Sequence, residues 1–220
     1  VGPVDASGAT ALSVVNKAGG VTVTAETRAN VTVAVTFGGA DSPARNGDVT
    51  ITAQREGTTV AIRVTYPATN PPDITVNLDI RAPASLATQV TQDAGDVLLT
   101  GMTGGATVDL EAGDITTSNT SGDLDLDCAS GSIHANTLVG TSTVTLQGQS
   151  TTLALAIPAD TNADVNAATT VGTITFTGLT WNGTVTTTYT GATATGPLGT
   201  GAGGTLQLTT TQGSISVSAR

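Results

Sequence analysis

Three aspartates each follow a glycine at a matched place in the chain: Gly95-Asp96-Val97, Gly113-Asp114-Ile115 and Gly122-Asp123-Leu124. Carboxylates returned to one place by a repeat supply hard oxygen ligands for Ca²⁺, which makes Asp96, Asp114 and Asp123 the candidate calcium residues. Nonapeptide calcium-binding repeats of the same period need Gly-Gly-x-Gly-x-Asp, whereas here one glycine stands directly before the aspartate. The simpler expectation is an Asx-type turn, in which the carboxylate accepts from the local backbone. A second set, Asp109, Glu111, Asp125 and Asp127, is of the type used in glycoside hydrolysis or, in parallel β-helices, in lyase chemistry. Such sites also recruit basic residues and sugar-stacking aromatics, yet aromatics make up 2% of this chain. A solvated acidic face that discourages sheet pairing is expected instead. His134 is the sole histidine, so one chain cannot build a triad or a multi-histidine metal site. Cys128 is the sole cysteine, expected as a small buried hydrophobe. Trp181, the one tryptophan, is read as a plug in an irregular coil, with a sugar platform as the alternative. No catalytic residue and no cofactor is assigned, and the chain is expected not to be an enzyme.

The elements that carry these residues are set by a repeat. Gly95, Gly104, Gly113, Gly122, Gly131 and Gly140 fall at an unbroken nine-residue interval, and a short fixed period is how β-solenoids are written. Counted from each glycine, offsets +2 and +4 are mostly apolar, as in Val97 and Leu99, Ile115 and Thr117, Leu124 and Leu126. Odd offsets carry Asp109, Glu111, Asp125, Asp127 and His134. Even positions therefore face inward and odd positions outward, with Cys128 inward. Nine residues extend at most roughly 30 Å, so each step is one strand plus one turn, and two or three steps close a coil. The fold expected is an all-β, single-chain β-solenoid (β-helix) with a less regular N-terminal third.

That first third alternates, as in Val21-Thr22-Val23-Thr24 and Val60-Ala61-Ile62-Arg63-Val64, which means strands with one buried face. Pro67, Pro71 and Pro72 mark a seam, because proline cannot donate to a ladder. Residues 1–72 are read as irregular β-rungs or a small sheet leading into a solenoid over residues 73–220, the whole forming one continuous unit. One module is used twice. Leu78 to Ala84, then Val90 and Gly95, corresponds to Leu153 to Ala159, then Val165 and Gly172, with a two-residue insertion. Gly213-Ser214-Ile215-Ser216-Val217 repeats the corner, so the C-terminus is expected as a final, uncapped rung. Residues 1–15 are expected to be extended enough to pair with a neighbouring subunit.

Composition supports this. Hydrophobic residues form 38% of the chain with few aromatics, which suits the thin interior between sheets about 10 Å apart. A net charge of −10, from 7 Lys+Arg against 17 Asp+Glu, excludes the basic groove or polybasic patch needed for nucleic acid or anionic lipid. No apolar run is long enough for a membrane span. The chain opens at Val1 without a signal peptide, as a processed mature chain would, and its single lysine and Thr-rich acidic surface suit an exported protein. Sequons at Asn30, Asn119 and Asn182 are ascribed to chance in so Thr-rich a chain. The alternating threonines of residues 173–177 and 141–145 are similar to the flat Thr-x-Thr ladders of ice-binding solenoids, a further alternative.

The Gly-Asp-(Val/Ile/Leu) corners, the Ile157-Pro158-Ala159-Asp160 entry and the opening Leu12-Ser13-Val14-Val15-Asn16 before Gly20-Val21-Thr22-Val23 together resemble the bacterial putative-adhesin β-solenoid family. The likeness covers about residues 10–218. It implies an exported, non-enzymatic, surface-associated β-solenoid and transfers no catalytic residue. Heavy Thr loading and the irregular first third depart from the family pattern. The expected function is a structural or adhesive surface component at the cell exterior. It self-associates into a fibre or surface layer by β-strand addition or end-to-end stacking, with surface glycans as possible partners. The alternative is an extracellular glycan- or calcium-binding module.

Overall fold

The computed structural model describes residues 2–69, 71 and 73–220. Val1 and Pro72, used in the sequence reading, lie outside the described residues. The chain is all-β, with eighteen strands joined in one sheet and a 3-10 turn at Asn46–Asp48. The strands are β1 (Val4–Asp5), β2 (Ala11–Ala18), β3 (Val21–Glu26), β4 (Asn30–Gly38), β5 (Thr50–Glu56) and β6 (Thr59–Thr65). There follow β7 (Thr75–Pro83), β8 (Ala87–Ala94), β9 (Val97–Thr100), β10 (Ala106–Ser121), β11 (Leu124–Leu138) and β12 (Thr143–Ile157). The last are β13 (Ala163–Val171), β14 (Ile174–Thr177), β15 (Thr184–Thr187), β16 (Ala192–Leu198), β17 (Gly204–Gln212) and β18 (Ile215–Ala219).

Parallel pairing stacks these strands in tiers, each with a first segment, a corner and a second segment. Ala106 of β10 lies opposite Thr88 of β8 on one side and Leu124 of β11 on the other, so a tier advances by eighteen residues, two nine-residue steps. β10, β11 and β12 each run through both segments, while β8 and β9 are split at Gly95. Along the stack the tiers are β6/β7, β2/β3, β8/β9, β10, β11, β12, β17/β18 and β13/β14. The pairings thus run across residue 72, and residues 11–26 belong to the same sheet as everything that follows. The two halves of the repeated module also take equivalent places: β7, β8 and the Gly95 corner match the second half of β12, β13 and the Gly172 corner.

Inward positions form one core, dominated by Val, Leu, Ile and Ala, that includes Leu12, Ile80, Leu99, Ile115, Leu126, Leu146 and Leu208. Each such side chain withdrawn from water contributes about 1.5–3 kcal/mol. The corner glycines permit close stacking of the tiers. Gly113 and Gly131 have φ of 137° and 141°, a region L side chains avoid. A Cβ on Gly113 would press on the Gly95 carbonyl oxygen, and one on Gly131 on that of Gly113.

The ends differ from expectation. β18 is not a terminal rung: β17 and β18 lie between β12 on one side and β13 and β14 on the other. At the other end β2 and β3 lie between β6/β7 and β8/β9, and β1 pairs with β4 of its own chain. Neither the C-terminal strand nor residues 4–15 are therefore available as a free strand for a neighbour. Antiparallel strands cover three of the outermost positions: β5 lies on β6, β4 on β7, and β16, itself paired with β15, on β13, while β14 ends its segment beside β18, and the sheet does not close on itself.

Candidate functional site

The three candidate calcium aspartates do not converge. Asp96 and Asp114 share the corner between segments, whereas Asp123 stands at the alternate corner, where β11 begins. Their oxygens serve the ladder. Asp96 Oδ1 accepts from the Asp114 backbone N–H at 3.1 Å, and Asp114 Oδ1 accepts from the Ser132 N–H at 2.9 Å and its hydroxyl at 2.7 Å. Asp123 Oδ1 accepts from the Thr143 N–H at 2.8 Å. The expected turn chemistry acts between tiers and not within the local backbone: each aspartate caps an N–H of the next tier. Among the described residues no cluster of three or more His, Cys, Asp or Glu is placed to hold a metal.

The acidic set lies on the outer surface of the first segments. Asp109 is directly opposite Asp127 in register, with Asp125 two residues before it on the same strand face. Partial burial, then repulsion from Asp109 and Asp125, pushes the Asp127 carboxyl above its ordinary value. This surface repels its own kind and any anion.

Cys128 is fully buried, as its inward parity requires, and burial pushes its thiol up. It has a structural partner, its Sγ donating to the Gly113 carbonyl at 3.3 Å. Equivalent positions do the same: Gln92 Nε2 donates to Gly19 O at 2.7 Å, Asn16 Nδ2 to Val76 O at 2.9 Å and Thr169 Oγ1 to Gly213 O at 2.8 Å. Each corner leaves a carbonyl at the edge of the core, and an unpaired one there costs about 1–3 kcal/mol. The inward residue before the next tier's corner supplies the donor.

His134 is exposed on the outer surface of the second segments. This surface is small and neutral over successive tiers, with Thr116, Ser118, Ala154, Ala156, Ser216 and Ser218 in register. A hollow of about 290 Å³ beside His134 is lined by Asn136, Ala154, Ala156 and Ser218. The two threonine arrays do not share a surface: Thr175 and Thr177 belong to the second segment of the last tier, Thr145 to a first segment beside Asp125. They make no common ladder. Trp181 stacks on Phe176 with ring centroids 4.1 Å apart and planes 7° from parallel, and bridges to Leu198. It closes the core beyond β14, as a plug does.

Two features were not read from the sequence. Between Asp164 and Arg220 the chain carries no Asp, Glu, Lys, Arg or His, and the structure gathers this segment at the end formed by β13 to β18. The charge-free run was visible in the sequence. The second is a hollow of about 430 Å³ lined by Asn16, Lys17, Tyr66, Pro67 and Asp93, with Lys17 Nζ 5.9 Å from the centre of the Tyr66 ring. Asn16 is 3% exposed, and its Oδ1 has no hydrogen-bond partner. No local motif announces this site, because its parts come from β2, β8 and the loop after β6.

No protein family and no curated protein sequence matches the chain. Its fold is similar to the crystal structure of a putative cell adhesion protein from Clostridium sporogenes ATCC 15579. The TM-score is 0.51 at 9% identity, over 97% of this chain and 94% of that one. Among the described residues no helix is long and apolar enough to cross a membrane.

Proposed function

We propose that the protein is a non-enzymatic adhesin of the cell exterior, its stacked tiers forming a short β-solenoid shaft that presents broad lateral surfaces to a partner. The observation that carries this reading is the division of the shaft. Acidic side chains occupy the first-segment surface of β10 and β11, and small neutral and hydroxyl-bearing side chains occupy the second-segment surface of β10, β12 and β18. Groups capable of bond-breaking chemistry are spread over separate surfaces or engaged in the ladder, while a flat hydroxyl-rich surface suits many weak contacts with a surface polymer. The likeness in fold to a putative cell adhesion protein agrees with this. Self-association belongs to the same reading and would proceed by strand addition at an end of the ladder.

The test is retention of the purified chain on intact cells and on immobilised neutral polysaccharides. Placing a charge on the neutral surface, as in Ala154→Glu, should abolish retention, while Gln147→Glu on the acidic surface should leave it intact. Equal retention of both variants would sink the assignment of the surface. A polysaccharide screen in which the chain releases reducing ends would sink the non-enzymatic reading.

A second reading, a glycan-binding module, is favoured by the hollow at Tyr66. The Asp93 and Lys17 side chains line this hollow together with the Tyr66 ring, and a carboxylate, an ammonium and an aromatic ring are groups that meet sugar hydroxyls and a sugar's apolar face. Saturation-transfer NMR with neutral oligosaccharides tests it, and loss of transfer in Lys17→Ala would localise the site.

A further inference from the structure

We propose that the charge-free end of the molecule is the interface of a closed twofold dimer, with β15 pairing antiparallel to β15 of a second copy. This rests on the self-association reading and names its surface and its geometry. Among the described residues β15 has one strand neighbour, β16, and all four of its residues, Thr184-Val185-Thr186-Thr187, are exposed. Its outer edge offers a row of backbone N–H and C=O groups, a template that proteins ordinarily blunt with lysine, proline or a bulge. β15 has none of these. Its β-branched residues are instead those that fit a paired sheet.

The opposite end is built differently. Its outer strand β5 carries Arg55 and Glu56. Arg63 on β6 clasps Glu56 at 2.6 and 2.9 Å, which with a hydrogen bond from Gln54 holds the Glu56 carboxyl down at about 2. Asp41, Arg45 and Asp48 stand in the loop beside it, joined by ion pairs. Burying this end would strip water from charges, and burying the β15–β16 hairpin, which carries none between residues 184 and 198, would not.

A second copy is the occupant because of charge. The chain carries −10, so two copies repel over their acidic surfaces, whereas the β15–β16 hairpin, within the run between Asp164 and Arg220, lets them meet without juxtaposing like charges and also offers an unpaired strand edge. Apolar exposure gathers there too. Of the six large hydrophobic side chains exposed among the described residues, Val171, Val185 and the fully exposed Tyr189 lie at this end. An edge that pairs with its own copy about a twofold axis uses itself up. The product is a dimer and not a fibre, because the charged β5 end has no complementary surface to continue the series.

Sedimentation equilibrium of the intact chain tests this, alongside Thr186→Lys, Thr186→Pro and Thr52→Lys. The wild type is expected at twice the chain mass. Thr186→Lys sets two like charges across the axis and should weaken association on the order of 100-fold or more, with thermal unfolding of the monomer unchanged because Thr186 is exposed on an outer strand. Thr186→Pro should also give monomer, and Thr52→Lys on β5 should stay dimeric. A wild type that sediments as monomer at every concentration, a Thr186→Lys chain that dimerises as tightly as wild type, or growth into fibres overturns the proposal. Cell retention by a monomeric wild type would leave the adhesive reading standing while this interface fell. A dimer that is not retained would do the reverse.

Discussion

At the scale of single residues, the corners decide whether tiers can stack. Gly131 combines a left-handed backbone with a Cβ direction that ends on the Gly113 carbonyl oxygen, so Gly131→Ala should destabilise the chain by about 3 kcal/mol or more. Urea denaturation would measure this, and a shift below about 1 kcal/mol would show that the corner relaxes. Asp127 offers a test with the opposite sign. Its folded-state carboxyl value lies above the ordinary one, so the fold binds that proton more readily than the unfolded chain does. Stability should rise as pH falls from neutrality through the raised value toward about 4, and be lost again on return to neutrality. Asp127→Asn should gain about 0.5 kcal/mol at neutral pH and flatten that rise, as read by thermal melts across the range. The Glu56–Arg63 pair acts with the opposite sign, its contribution being lost as pH falls from about 4.5 toward about 2, so the Asp127 effect is read as the difference between wild type and Asp127→Asn at each pH. The inward or outward side of nearly every residue from Val97 to Val144 could be read from the nine-residue spacing, since a strand alternates strictly and glycine fixes the phase. The partners of Asp96 and Asp114 could not. Their hydrogen bonds join residues eighteen positions apart, and a local motif carries no information about which tier comes next.

At the scale of elements, the tier β13/β14 is held unequally. β13 lies between β17 and β16, but among the described residues β14 has only β18 as a strand neighbour, and the Trp181–Phe176 stack covers the core where β14 ends. Trp181→Ala should cost about 2 kcal/mol. The cost should appear locally, as faster hydrogen exchange across β14 and the facing residues of β18 while β10 and β11 keep their protection. Uniform loss of protection would show that the end tier is not a separate cooperative unit. A plug was a sound reading of a lone tryptophan among glycines and threonines, because a coil that ends must cover its last apolar layer. That β16 completes the covering, with Ala192, Ala194 and Leu198 buried, was not legible, because two of its three inward residues are alanines in a run of threonine and glycine, and β15 is defined only by what it pairs with.

For the whole molecule, the order of tiers departs from the order of the chain at both ends. Val144 pairs with Leu206, and β13 takes its place only outside β17. A linear array would tolerate loss of its last repeat. Here, removing residues 204–220 strips the shared neighbour from both β12 and β13/β14, and the truncated chain should lose its single cooperative unfolding transition by circular dichroism. A truncation that unfolds as sharply as the full chain would show that β12 and β13 can re-pair directly. The sequence could not disclose this order, because Gly213-Ser214-Ile215 has the same local pattern as an interior corner and reads equally well at any level of the stack.

The same arrangement governs how the shaft would bear force. A tether pulling on the backbone at Ala11 or Ala219 enters the ladder at a strand gripped by a parallel neighbour on each side. Extracting that strand means shearing two rows of hydrogen bonds together, where an outermost strand could be peeled from one. The outer strands β5 and β15, each paired on one side among the described residues, lie outside the line of load between Ala11 and Ala219. A protein that must hold on while being dragged is served by having its points of pull inside the stack.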